Sequence, residues 1–155
     1  MVTTAAPVSI TTGTAIKTLM QLSTPATAGL EVVEWGISFD GSAAATPGKC
    51  ELVDTVAINA TVTAYVAADI TKMSQVGTRA SYLTLGTANS GFTSSAEGSI
   101  VATRQFDTQL LPPTAPYIKQ FPLERGPTML LSEFLRVRVH FGTAINALCY
   151  IVWAE

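Results

Sequence analysis

Charge is scarce in this sequence. Only 13% of its 155 residues are Asp, Glu, Lys or Arg, about half the usual share. The formal net charge is −2, which removes any electrostatic basis for nucleic acid as a partner. Histidine occurs once, at His140. A Ser-His-Asp triad would have to use it, and no G-x-S-x-G elbow is present to hold a nucleophile. The two cysteines, Cys50 and Cys149, form no C-x-x-C pair. They read as small apolar side chains of the core; a disulfide needs Cα atoms within about 7 Å, which a sequence does not report. A zinc site from His140 and two such distant cysteines would be a coincidence of folding. Mean hydropathy is +0.36, yet no run approaches the roughly 18 apolar residues of a membrane span. The opening MVTTAAPVSITTG lacks the basic n-region and apolar core of a signal peptide, so general secretion is not expected.

Other chemistries lack their residues too. Gly41 and Gly48 are too far apart for a phosphate-cradling loop, and no Lys-Ser/Thr follows Gly48. Asp40-Gly41-Ser42 is a turn without the alternating oxygen ligands of a calcium loop. Glu31 and Glu34, three apart on a strand, point to opposite faces and make no acid–base pair. The expectation is a non-enzyme with no cofactor, no metal and no small-molecule substrate.

What is present is strand periodicity. In Glu133 to Glu155, Leu135, Val137, Val139 and Phe141 alternate with Arg136, Arg138 and His140, one apolar face and one basic face. Gly142 to Asn146 supplies a turn. The return run from Leu148 to Ala154 is apolar on both faces, which predicts a central strand covered on both sides. Together they predict a hairpin that closes the domain. Leu30 to Asp40 is the second strong strand, with Val33, Trp35, Ile37 and Phe39 on one face; Gly36 signals a bulge or a close backbone approach. Trp35 and Trp153 read as core.

Weaker strands are expected over Ala15–Leu22, Lys49–Ala57, Val62–Val66, Ser81–Gly86, Glu97–Leu110 and Tyr117–Leu123. Thr87–Ser95 reads as a polar loop. Ala67–Val76 is the only segment with helical character. The total is about eight strands with very little helix, an all-β fold of the β-sandwich or jelly-roll kind. One domain over residues 14–155 follows an extended N-terminal arm over residues 1–13. Sparse charge with abundant Thr, Ala and Val points to surface covered by other copies. The arm's Thr3, Thr4, Val8 and Ile10 are candidates to pair with a neighbour's sheet edge. Arg136 and Arg138, with Lys119 and Arg125, are candidates to pair with carboxylates within the chain or across subunits.

Seven stretches together carry a resemblance: KTLMQL at Lys17 to Leu22, VEWGISFDGSA at Val33 to Ala43, KCELVDT at Lys49 to Thr55, AEGSIVATRQFD at Ala96 to Asp107, YIKQFPLER at Tyr117 to Arg125, FLRVRV at Phe134 to Val139 and NALCYIVWAE at Asn146 to Glu155. The pattern resembles a family of small proteins encoded among the head genes of tailed bacteriophages and prophages. The resemblance implies a virion structural protein that decorates or cements the capsid. It further implies a β-rich fold, a homotrimer, the major capsid protein as partner, and a place on the outer surface of a capsid made in the host cytoplasm. It carries over no catalytic residues. Another minor head, tail or fibre-associated protein, or a carbohydrate-binding β-sandwich module, are the alternatives.

Overall fold

The computed structural model describes residues 1–3 (for Thr3, its backbone), 9–41, 46–73, 79–101, 103–122 and 124–155. The chain is a β-sandwich of two antiparallel sheets, each of six strands. One sheet, called the front sheet below, contains β1 (Val2–Thr3), β2 (Ile10–Thr11), β4 (Leu30–Phe39), β9 (Tyr117–Gln120), β10 (Thr128–Met129) and β12 (Asn146–Ala154). The back sheet contains β3 (Lys17–Ser23), β5 (Gly48–Asp54), β6 (Thr61–Ala64), β7 (Gly91–Ala96), β8 (Arg104–Leu111) and β11 (Phe134–His140), in the order β6-β7-β3-β11-β5-β8. Among the described residues no helix is long and apolar enough to cross a membrane.

Alternation builds the core. Leu135, Val137, Val139 and Phe141 are all buried, and with Leu22, Cys50 and Leu52 they face Trp35, Ile37, Ala147, Cys149 and Ile151 of the front sheet. Side chains on the inner faces of two stacked sheets interdigitate across about 10 Å. The face of β4 departs from strict alternation. Val152 pairs with Glu34 but Trp153 pairs with Val32, so Val33 is an extra residue. This bulge moves Val32 and Leu30 into the core, where they are buried, and leaves Val33 half-buried.

The expected closing hairpin is corrected. β11 and β12 do not pair with each other. β11 lies between β3 and β5 in the back sheet, and β12 lies beside β4 in the front sheet. The connection from Phe141 to Ile145 is an arch that crosses the sandwich. Its apex is held by Phe141, buried at 1% exposure and packed edge-on against Phe39 with ring centroids 5.2 Å apart. Both strands need to bury an apolar face, and placing them in opposite sheets lets the two faces meet.

Other expectations shift. Thr87–Ser95 is not all loop, because β7 begins at Gly91. Ser81–Gly86 makes only a bridge, Leu85 to Ser90. The strand expected from Glu97 starts at Arg104; Gly98 has φ +71°, and Glu97 is held by side chains of the back sheet. The helical segment is one 3₁₀ turn, Ala67–Asp69, and Ser74 to Val76 lie outside the described residues.

Candidate functional site

The outer face of the back sheet is roofed by its own chain. Residues 55–60 and Glu97–Gly98 lie over it, and two buried polar side chains hold them. Gln21 donates from Nε2 to the Ala60 carbonyl at 3.2 Å and to the Asn89 carbonyl at 2.5 Å, and its Oε1 accepts from Ala60 N at 2.7 Å. Arg136 donates to the carbonyls of Glu97, at 2.9 Å, and Ile58. It also pairs with the Glu97 carboxylate at 3.5 Å. Glu97 in turn accepts from Thr18 N and Thr18 Oγ1, each at 2.6 Å, and from Ser94 Oγ. Arg136 is 0% exposed, so this interface candidate has no surface to offer in the single chain. Burial lowers its pKa to about 10, with Arg138 lowering it further and Glu97 opposing.

Arg138 stands one step along the same outer face. It pairs with Glu51 at 2.6 Å; Lys49 meets the same carboxylate at 2.7 Å and Gln105 at 2.9 Å. The pairing is within the chain. Glu51 itself is buried, so the cations serve first to neutralise it. His140 is exposed at the end of the strand, opposite Lys49.

The N-terminal arm lies on its own chain. Val2 and Thr3 pair with Ile151 and Tyr150, and Ile10 and Thr11 pair with Ala147 and Asn146. Both pieces extend the same edge of β12. Val2 is in the core at 1% exposure, and the Met1 ammonium donates to the Thr71 carbonyl at 2.8 Å. Thr4 and Val8 lie outside the described residues, as does the side chain of Thr3. Ile10 is half-buried against the core.

The outer face of the front sheet differs from the roofed back. β12 places Leu148, Tyr150 and Val152 there, all half-buried, so the run that is apolar on both faces is covered on one. Tyr150 pairs with Gly36; its ring lies where a Cβ on residue 36 would stand, and its hydroxyl donates to Glu34. Burial, then the bond and charge of Glu34, raise the Tyr150 pKa to about 12. Gly36 therefore marks a close approach, one of the two roles its place in a strand pattern allows. The ring fills the space over Gly36. Nothing in the sequence pointed to Tyr150 or Glu34 as a pair, because the register of β12 on β4 decides it.

One carboxylate ties the two sheets at their shared edge. Asp107 of β8 accepts from Trp35 Nε1 at 3.1 Å, Tyr117 hydroxyl at 2.7 Å and Gln109 Nε2 at 2.8 Å. Cys50 and Cys149 are free and buried, and burial raises the Cys50 thiol to about 12. Among the described residues no group of three His, Cys, Asp or Glu could hold a metal ion. No protein-family model, no curated protein and no solved structure matches the chain.

Proposed function

We propose that this chain is a virion structural protein that decorates and cements the capsid of a tailed bacteriophage, binding as a homotrimer between major capsid subunits on the outer surface. The observation that carries the reading is the resemblance of seven stretches to a family encoded among head genes. Six of those stretches overlap strands of the two sheets: β3, β4, β5, β9, β11 and β12. The seventh joins the end of β7 to the start of β8. The resemblance thus falls on the scaffold itself. The outer face bearing the half-buried Leu148, Tyr150 and Val152 supports it further, since apolar surface on a charge-poor protein gains most from being covered by a neighbour. A protein that binds only the assembled shell stabilises it by mass action.

The experiment is co-sedimentation of the purified protein with heads assembled without it, beside unassembled capsid subunits, with native mass by light scattering. Binding to heads and not to free subunits, with a trimeric mass in solution or on the shell, is the expected result. Absence of head binding at micromolar concentrations overturns the proposal.

A further inference from the structure

The connection from β7 to β8 carries an aliphatic pair that neither sheet uses. Gly98-Ser99-Ile100-Val101 follows Glu97, and β8 begins at Arg104. β-Branched residues such as Ile and Val favour strands. Yet Ser99, Ile100, Val101 and Thr103 belong to no strand and, among the described residues, make no hydrogen bond or ion pair. Val101 is 86% exposed, the highest value among the exposed large hydrophobic residues described. Ile100 beside it is half-buried.

Other exposed apolar residues stand on backbone that is already engaged. Leu110 and Ile118 lie within β8 and β9. Leu130 N donates to Glu133 Oε2 at 2.7 Å, and the Leu130 carbonyl accepts from Thr24 Oγ1 at 2.6 Å. Val56 N donates to Asp54 Oδ1 at 2.6 Å. An endoprotease takes its substrate as an extended strand and pairs with its main-chain N–H and C=O groups. Backbone already bonded within the fold has to unfold first, whereas an exposed, unbonded connection does not.

Both ends of the connection are fixed to the back sheet. On one side the Glu97 carboxylate accepts from Thr18 N and Thr18 Oγ1, each at 2.6 Å, and the Glu97 carbonyl accepts from the buried Arg136 at 2.9 Å. Gly98 packs so closely on residue 59 that a Cβ would stand 2.6 Å from the Asn59 carbonyl oxygen. On the other side Arg104 bridges Asp54, which is buried, and Glu133, at 2.6 Å to each. A break between these two anchors leaves each new end tethered beside the place it already occupies.

We propose that this connection is a proteolytic processing site: an endoprotease that reads aliphatic residues hydrolyses the Ile100–Val101 bond of the folded chain, and the two pieces stay assembled. Water is the co-reactant. Its hydroxyl joins the Ile100 carbonyl carbon as the C–N bond breaks, and its proton goes to the Val101 nitrogen. The acid so formed then passes its proton to the amine, leaving a carboxylate and an ammonium. The topology keeps the pieces together. The first carries β1 to β7 and the second β8 to β12. In the back sheet β11 of the second piece lies between β3 and β5 of the first, and in the front sheet β4 of the first lies between β12 and β10 of the second. Separating them would break both sheets. The inference is independent of the decoration reading.

The test treats the full chain with thermolysin, which takes aliphatic residues on the amine side of the bond it cuts. Urea is raised in steps, and rates are referred to those of a short unstructured peptide. Mass spectrometry assigns the products, and native mass is measured after the cut. The expected products are a pair of fragments divided at Ile100–Val101 or at Ser99–Ile100. Their rate of appearance is expected to be independent of urea below the unfolding transition, as for cutting that needs no global unfolding, and the native mass to stay unchanged. Ile100→Gly/Val101→Gly is expected to slow these cuts about a hundredfold, within the range by which a hydrophobic pocket discriminates. Absence of both fragment pairs while the chain stays folded overturns the inference. A rate that climbs with urea from the first step overturns it too, because the cut then passes through the unfolded chain. Separation of the two fragments under native conditions overturns the assembled two-piece state.

Discussion

A guanidinium without access to solvent costs free energy unless its neighbours compensate it. The two Nη atoms of Arg136 are met by two backbone carbonyls and the Glu97 carboxylate, while its Nε is buried without a hydrogen-bond partner; these bonds anchor both segments that roof the back sheet. Arg136→Met is expected to lower the unfolding free energy by about 3–5 kcal/mol, measured by urea denaturation. A change below about 1 kcal/mol would mean that Gln21 and packing hold the roof unaided. At Gly36 the relevant force is steric. A methyl group there meets the Tyr150 ring, so Gly36→Ala is expected to cost about 1–3 kcal/mol. In a Tyr150→Ala background the same change is expected to be nearly neutral. A double-mutant cycle with additive effects would refute the ring-in-notch arrangement.

At the scale of elements, the arch between β11 and β12 governs how the two sheets are joined. It carries one strand of each sheet's interior and is pinned by Phe141. Phe141→Ala is expected to destabilise by about 3–5 kcal/mol, the range for removing a buried aromatic ring. Intrinsic tryptophan fluorescence during chemical unfolding measures this through Trp35, which lies in the same core. A loss under about 1 kcal/mol would place the arch outside the cooperative core. Gly48 belongs to the same joint, since a side chain there would enter the Phe141 ring. The strand pattern was legible here: the inward residues are Leu135, Val137 and Val139 of β11 and Phe141 just beyond it, and Arg136, Arg138 and His140 share the outer face. The pairing partner was not legible. Period-two alternation states which face is buried and is silent on which strand lies alongside. A five-residue connection suits a hairpin or an arch equally.

For the whole molecule, the buried acids set the behaviour at alkaline pH. Tyr150 and Tyr117 are raised to about 12, by burial first and then by Glu34 and Asp107 respectively, and Cys50 is raised to about 12 by burial. Tyr65 and Cys149 shift in the same direction, again chiefly by burial. Each of these groups keeps its proton in the folded chain at pH values where the unfolded chain has lost it. Their contribution is therefore full below the unfolded values, near 9 for thiols and 10 for phenols, and is lost as pH rises towards about 12. Arg136, lowered to about 10, acts in the opposite sense, but it is one group against five. The urea midpoint is expected to hold steady to about pH 9 and fall steeply between pH 10 and 12, with tyrosinate absorbance at these sites appearing together with unfolding. Ionisation of all tyrosines in the folded protein near pH 10 would contradict the burial described here.

By itself the sequence determined the fold class, the strongest strands and the faces they bury, because alternation of side chains is a local property of extended backbone. It also marked Gly36 as a place where something comes close. Only the tertiary structure decided that the final two strands belong to opposite sheets, that Val33 bulges and turns Val32 inward, and that Arg136 is enclosed while Arg138 neutralises Glu51. The arm's place on β12 was likewise decided by the assembled sheets. These depend on register and on which distant segments meet, and the free energy that selects them comes from burying faces against each other, which no single stretch of chain contains.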